Sequence, residues 1–170
     1  INACSKRYIY RSFDQTIQGR TVIHPGEADA VVIAPIKACS VGLAITIDSN
    51  LYGHHDPYVS GAAAVAEGIR NVISVGARPI AVTDCLNYGN PEKPDVFFDF
   101  QEGVRGIGDA CRQLGFIENE PVPIISGNVS LYNESKRGNA VVPSPVICVM
   151  GKVEDINNAK SMTLKSVGQT

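Results

Sequence analysis

Apolar side chains recur at three- and four-residue steps between residues 58 and 75 (Ala62, Val65, Ala66, Ile69, Val72 and Ile73), while Glu67 and Arg70 fall elsewhere. That period predicts an amphipathic helix, stopped by Gly76. A second stripe, Phe97, Phe100, Val104, Ile107, Cys111 and Leu114, faces away from Glu102, Arg105, Asp109 and Arg112. It predicts a helix over about 96–114, with Asp95 placed to cap its start. Residues 28–36 and 41–48 are rich in β-branched side chains and are joined by four turn-compatible residues, so they predict paired strands. Residues 79–84 and 122–126 read as short buried strands, and 146–153 as a last strand. Residues 1–20 read as an irregular polar lead-in. Residues 50–57, 85–94 and 127–139 read as loops, and 116–121 as an acidic surface loop.

The order strand, strand, helix, strand, helix, strand, strand predicts an α/β (α+β) fold. A mixed or antiparallel sheet of about four to six strands would carry both helices on one face. An apolar sheet left bare on its other face should meet a partner domain or a second copy of the chain.

At 170 residues and 44% hydrophobic, the chain has the length for one domain with a proper core, so residues 1–170 are expected to form a single unit. The net charge is −2, from 15 basic and 17 acidic residues. The basic residues are scattered, which argues against nucleic acid as a partner. No apolar run approaches the ~20 residues needed to span a bilayer, and no secretory pattern opens the chain. Five cysteines, Cys4, Cys39, Cys85, Cys111 and Cys148, are widely spaced and lack a C-x-x-C. They suit a reducing cytoplasm better than a disulfide framework or a zinc site. Cys111 and Cys148 are expected in the core, and Cys85 as a packing residue with nothing nearby to activate it. The chain opens on Ile1 and closes on Ser166 to Thr170 with no helix to tie the end down. The expectation is a domain of a longer polypeptide.

Two segments carry the candidate chemistry: Thr83-Asp84-Cys85-Leu86-Asn87-Tyr88-Gly89-Asn90-Pro91-Glu92-Lys93-Pro94 and Ser126-Gly127-Asn128-Val129-Ser130-Leu131-Tyr132-Asn133-Glu134. Both fall where a strand should open into a loop, which is where α/β proteins place ligand chemistry. Gly127 lets backbone come close to a phosphate. Asn128 offers a hard amide oxygen to Mg²⁺. Ser130 can hydrogen-bond a substrate group, and Asp84 can accept from a nucleotide or from metal-bound water. The same residues could instead make a Gly-Asn hairpin turn and a strand-ending turn or cap. Glu134 is either a site carboxylate or a solvated one. His54 and His55 beside Asp56 invite a metal reading, but adjacent residues point apart in extended chain, so surface-loop histidines fit better. There is no Walker or Rossmann glycine pattern and no local Ser-His-Asp motif.

Taken together, residues 81–94 and 127–134, with Asp56-Pro57-Tyr58 leading into residues 64–71, resemble the synthetase subunit of phosphoribosylformylglycinamidine synthase, an enzyme of purine biosynthesis. The likeness runs from about Tyr10 to Asp155. It points to the N-terminal half-domain of that enzyme's second repeat, of the aminoimidazole ribonucleotide synthetase N-terminal type. The resemblance implies an ATP-dependent C–N ligase that turns formylglycinamide ribonucleotide and glutamine-derived ammonia into the formylglycinamidine ribonucleotide. It carries ATP binding to Asp84 and Gly127, the Mg²⁺ ligand to Asn128 and the substrate contact to Ser130. It implies as partners the rest of the synthetase chain, a glutaminase subunit and a small auxiliary subunit, with a homodimer through the sheet face as a further option. The family's catalytic His lies in a Glu-Ser-His-Asn-His-Pro motif of the first repeat. Nothing here matches that motif, so His54 and His55 do not inherit its role and the chain is expected to be inactive alone. A catalytically silent nucleotide-binding and dimerisation module is the competing reading. An aminoimidazole ribonucleotide synthetase or a thiamine-phosphate kinase fits less well with the long motif from Asn87 to Pro94.

Overall fold

The computed structural model describes residues 5–13, 15–116 and 120–165. The expectations placed on Cys4, on residues 117–119 of the acidic loop and on the last five residues lie outside the described residues. Three helices, α1 (Arg7–Tyr10), α2 (Pro57–Ser74) and α3 (Pro94–Gln113), accompany strands β1 (Thr21–Ile23), β2 (Val31–Ile33), β3 (Gly42–Asp48), β4 (Arg78–Asn87), β5 (Ile124–Ser130) and β6 (Ser144–Val153). The strands form one mixed sheet in the order β1-β2-β3-β6-β4-β5. Its neighbours are antiparallel except β4 and β5, which run parallel.

The strict alternation of β6 sets the two faces. Pro145, Ile147, Val149, Gly151 and Val153 are buried, and the residues between them are only half-buried. Val32, Ala44 and Val82 join the buried side, where α2 lies across β6 and β3. Asp56 caps α2 by accepting from the Val59 N–H at 3.0 Å, and Pro57 opens the helix. Helix α2 lies on this face, and α3 packs against α2 on the same side. The other face carries Ile33, Leu43, Ile45, Ile47, Val146 and Met150, with Ile47 70% exposed. Among the described residues, neither α2 nor α3 covers this second face.

Several details differ from the sequence pattern. Strand β1 is three residues long, too short for a period to mark it in the sequence. Strands β4 and β5 run on through Asn87 and Ser130, so Cys85 to Asn87 and Gly127 to Ser130 are strand rather than loop. Strand β5 is not buried: it is the sheet edge, and all its residues except Ser130 are exposed. The parallel ladder with β4 holds it through backbone bonds, which need no apolar side chains.

The face buried by α3 is also rotated. Its buried residues are Val96, Gly103, Gly106, Ile107, Ala110 and Cys111, whereas Phe97, Val104 and Leu114 are at least 40% exposed. Helix α3 docks chiefly on α2 rather than on the sheet, and small residues let the two backbones approach. A hydrophobicity stripe cannot register a glycine contact. Asp95 lies in the first turn of α3 and Lys93 occupies the N-cap position, so the expected cap does not form. On α2, Ile73 likewise points outward, at 44% exposure. Cys111 is buried as expected, but Cys148 is only half-buried, on the open face opposite Thr83.

Candidate functional site

The parallel register of β4 and β5 pairs Asp84 with Gly127, Cys85 with Asn128 and Asn87 with Ser130. All four candidate site residues therefore lie within a few residues of one another along the exposed edge of the sheet. The hairpin-turn reading of Gly127-Asn128 and the turn reading of Asp84 are both excluded, since each residue sits inside a ladder.

Strand alternation then sorts the set into two pairs. Asp84 shares the helix-covered face with Val82 and Leu86, and Gly127 lies beside it. A Cβ on residue 127 would come within 2.7 Å of the Asp84 carboxylate carbon and closer still to Oδ1. The carboxylate fills the space above residue 127, so any side chain there would have to push Asp84 aside. Asn128 and Ser130 project from the open face. The Asn128 amide donates to the Cys85 sulfur at 3.5 Å, and Asn87 donates to the same sulfur at 3.6 Å and to the Ser144 carbonyl at 3.1 Å. Among the described residues no donor reaches the Asn128 Oδ1, which leaves that oxygen free to accept or to coordinate.

Burial pushes the Asp84 carboxyl above its ordinary value, and no hydrogen bond or charge among the described residues offsets it. The native state keeps this proton at pH values where the unfolded chain has already lost it. Stability therefore falls as pH rises from the ordinary carboxylate range to the raised pKa, and stays lowered above it. Asp84→Asn is expected to be more stable than the wild type at neutral pH. The gap should close on acidification through the carboxylate range, as read by urea unfolding across that range.

Behind the edge, Tyr88 is buried between the sheet and α3, edge-on to Phe100 at 5.2 Å. Its hydroxyl has no hydrogen-bond partner among the described residues, and burial raises its pKa to about 12. The segments that follow β4 and β5 lie side by side. Asn133 Nδ2 donates to the Tyr88 carbonyl at 3.1 Å and to the Ser130 carbonyl at 2.8 Å, and Ser130 Oγ lies 3.3 Å from Asn133 Oδ1. Glu134 Oε1 accepts from Lys93 Nζ at 2.7 Å and from the Asn90 N–H at 3.2 Å. Lys93 holds the Glu134 carboxyl below its ordinary value. The pattern of the sequence singled out neither Asn133 nor Lys93, since contacts made 41 and 45 residues apart leave no spacing to read.

His54 and His55 are exposed, His55 packs against Tyr52 with ring centroids 5.4 Å apart, and Asp56 serves as the α2 cap. A cavity of about 500 Å³, lined by residues such as Gln15, Arg20, Thr21 and Ile33, lies at the β1–β2 end of the sheet, far from β4 and β5.

Fold and edge together define an α+β domain that presents its polar residues along a parallel edge strand, unlike the glycine-loop nucleotide folds. The chain belongs to the AIR synthase related proteins, through their N-terminal domain, whose family model matches residues 27–153. Over 170 residues it is 54% identical to phosphoribosylformylglycinamidine synthase subunit PurL of Methanothrix thermoacetophila, covering 98% of this chain and 22% of that protein. It is similar in structure to PurLQS from Thermotoga maritima, with a TM-score of 0.80 at 30% identity, over 95% of this chain and 25% of that one. T. maritima PurL complexed with ATP gives a TM-score of 0.75 at 31% identity, over 91% and 24% of the two chains. The chain thus spans about a quarter or less of the proteins it matches.

Proposed function

We propose that residues 1–170 are a single domain of the cytoplasmic synthetase subunit of phosphoribosylformylglycinamidine synthase. In this reading the domain supplies ATP, Mg²⁺ and substrate contacts to an ATP-dependent C–N ligation in purine biosynthesis. The observation that carries the reading is the β4–β5 register. Around Gly127, which has no side chain, Asp84 reaches over the edge strand from one face while Asn128 and Ser130 flank it from the other. A nucleotide lying along the outer edge of β5 can then be touched from both faces. That T. maritima PurL forms a complex with ATP supports a nucleotide as the ligand in this reading.

In the reaction, the amide oxygen of formylglycinamide ribonucleotide attacks the γ-phosphorus of ATP, and ADP leaves. Ammonia then adds to the activated carbon and phosphate departs, leaving the amidine. Catalysis of such a transfer is chiefly positioning and charge stabilisation. Gly127 admits the phosphates to the backbone, Asp84 anchors the nucleotide and Ser130 orients the substrate. Mg²⁺ bound largely through phosphates needs only one or two protein oxygens, and Asn128 Oδ1 fits that requirement. The ion's chemistry when bound is to neutralise phosphate charge. The open apolar face is the surface for the rest of the synthetase chain or for a second copy, and glutaminase and small auxiliary subunits would deliver the ammonia.

The test is titration of the full-length synthetase chain with Mg·ATP, beside its Asn128→Ala variant, together with ADP release driven by formylglycinamide ribonucleotide and ammonia. Weaker Mg·ATP binding in the variant and substrate-dependent ADP release in the wild type are expected. Absence of that release would overturn the ligase reading, and unchanged binding would remove Asn128 as the metal ligand. Binding without turnover would favour the structural nucleotide-holding module.

A further inference from the structure

Strand β5 carries three of the four candidate site residues, Gly127, Asn128 and Ser130, yet only one neighbouring strand holds it. It is bonded on one side only, to β4, and six of its seven residues are exposed. In most strands a buried face sets the register, because a one-residue slip would turn apolar side chains outward. Strand β5 has no such face, so its register has to be fixed by other contacts.

Those contacts lie just beyond its C-terminal end. The Tyr88 N–H donates to the Ser130 carbonyl at 3.0 Å, the Tyr132 N–H to the Gly89 carbonyl at 2.8 Å and the Asn133 N–H to the Tyr88 carbonyl at 3.1 Å. The Asn133 side chain then ties the Tyr88 carbonyl to the Ser130 carbonyl and hydroxyl. One residue on, a single oxygen of Glu134 takes both the Lys93 ammonium and the Asn90 N–H, reaching the start of α3. Tyr132, just before Asn133, is held at φ +59°, a conformation that residues other than glycine rarely adopt. Such a residue persists where its surroundings over-determine it. Here the bonds on either side of Tyr132 do so, and its hydroxyl reaches Glu92 at 3.3 Å.

We propose that Asn133 and Glu134 form a latch that locks the segment after β5 onto the segment after β4 and so fixes where Asn128 and Ser130 stand. Glu134 is a positioning residue acting through Lys93 and Asn90, and is not itself a ligand of metal or substrate. Its carboxylate already serves two donors, one of them a cation. The catalytic consequence rests on the function proposed above, but the latch itself does not.

Two measurements on the full-length synthetase chain test it. The first is amide hydrogen exchange, which needs no activity. Glu134→Gln and Lys93→Met should each speed exchange at Tyr132 and Asn133 relative to the wild type, and unchanged exchange in both would overturn the latch. The second is kinetic. Each single variant should lower kcat/KM roughly tenfold, and the double variant should be no worse than the poorer single, because both remove one contact. Added to an Asn128→Ala, Ser130→Ala double variant, Glu134→Gln should cost much less than in the wild type, since both residues it positions are gone. Losses that multiply in the Glu134→Gln, Lys93→Met variant, or a full Glu134→Gln loss on the Asn128→Ala, Ser130→Ala background, would show Glu134 acting on the ligand independently. A wild-type chain without ligase turnover, but with faster exchange in the variants, would sink the proposed reaction and leave the latch standing.

Discussion

Asp84→Ala in the full-length synthetase chain is expected to lower kcat by at least about 100-fold, the scale for losing one preorganised transition-state contact. The carboxylate sits half-buried above Gly127 with no donor among the described residues, and burial raises its pKa. An acid kept in that position lowers native stability at neutral pH, so a role in folding is a poor explanation for it. A ligand that brings donors or a cation to the edge of β5 would relieve the penalty, and a contact of that kind matters most where charge moves between phosphates. Steady-state ADP release at saturating substrate reads the loss. The wild-type fold should persist in the variant, because alanine leaves Val82, Leu86 and the β4–β6 ladder in place. Near-normal turnover in Asp84→Ala would favour the silent nucleotide-holding module over the ligase site.

The largest loss of stability from a single methyl is expected at Gly106→Ala, about 3 kcal/mol, at the upper end of the usual range for overpacking. A Cβ there would come within 2.9 Å of the Tyr58 carbonyl carbon and nearer its oxygen, backbone atoms that cannot step aside without parting α2 from α3. Gly103 and Gly61 make the neighbouring close contacts along the same line. Separation of the helices would also loosen Tyr88, packed against Phe100 of α3, whose carbonyl anchors the latch. Val104→Ala on the same helix is the control. Val104 is 42% exposed, and the change should stay within about 0.5 kcal/mol. Urea unfolding midpoints of the two variants decide the matter. A Val104 effect larger than the Gly106 effect would restore the helix face that hydrophobic periodicity implies.

The second experiment turns on residues that pattern reading handles poorly, for a physical reason. Periodicity weighs side chains by size and polarity, so Phe97, Val104 and Leu114 outvote Gly103 and Gly106, though the glycines are what let the helices meet. The motif segments misled in a related way. Gly, Asn and Ser are weak strand formers, so Gly127 to Ser130 read as loop. In a parallel edge ladder the backbone alone supplies the pairing, and such residues are tolerated because nothing has to pack against them.

The sequence by itself determined the existence and order of the long elements: α2 and α3 from their apolar recurrence, β3 and β6 from β-branched content and alternation. It also marked both chemical segments, because Gly, Asn and carboxylate concentrate there and match a family motif over a long run. Only the tertiary structure decided that β4 and β5 lie parallel, that Asp84 stands over Gly127, and that Asn128 and Ser130 look out from the opposite face. It alone joined Glu134 to Lys93 and Asn133 to Tyr88. Local pattern is written in neighbours a few residues apart. A site assembled by sheet register depends on contacts more than forty residues apart in the chain, and no short-range period encodes those.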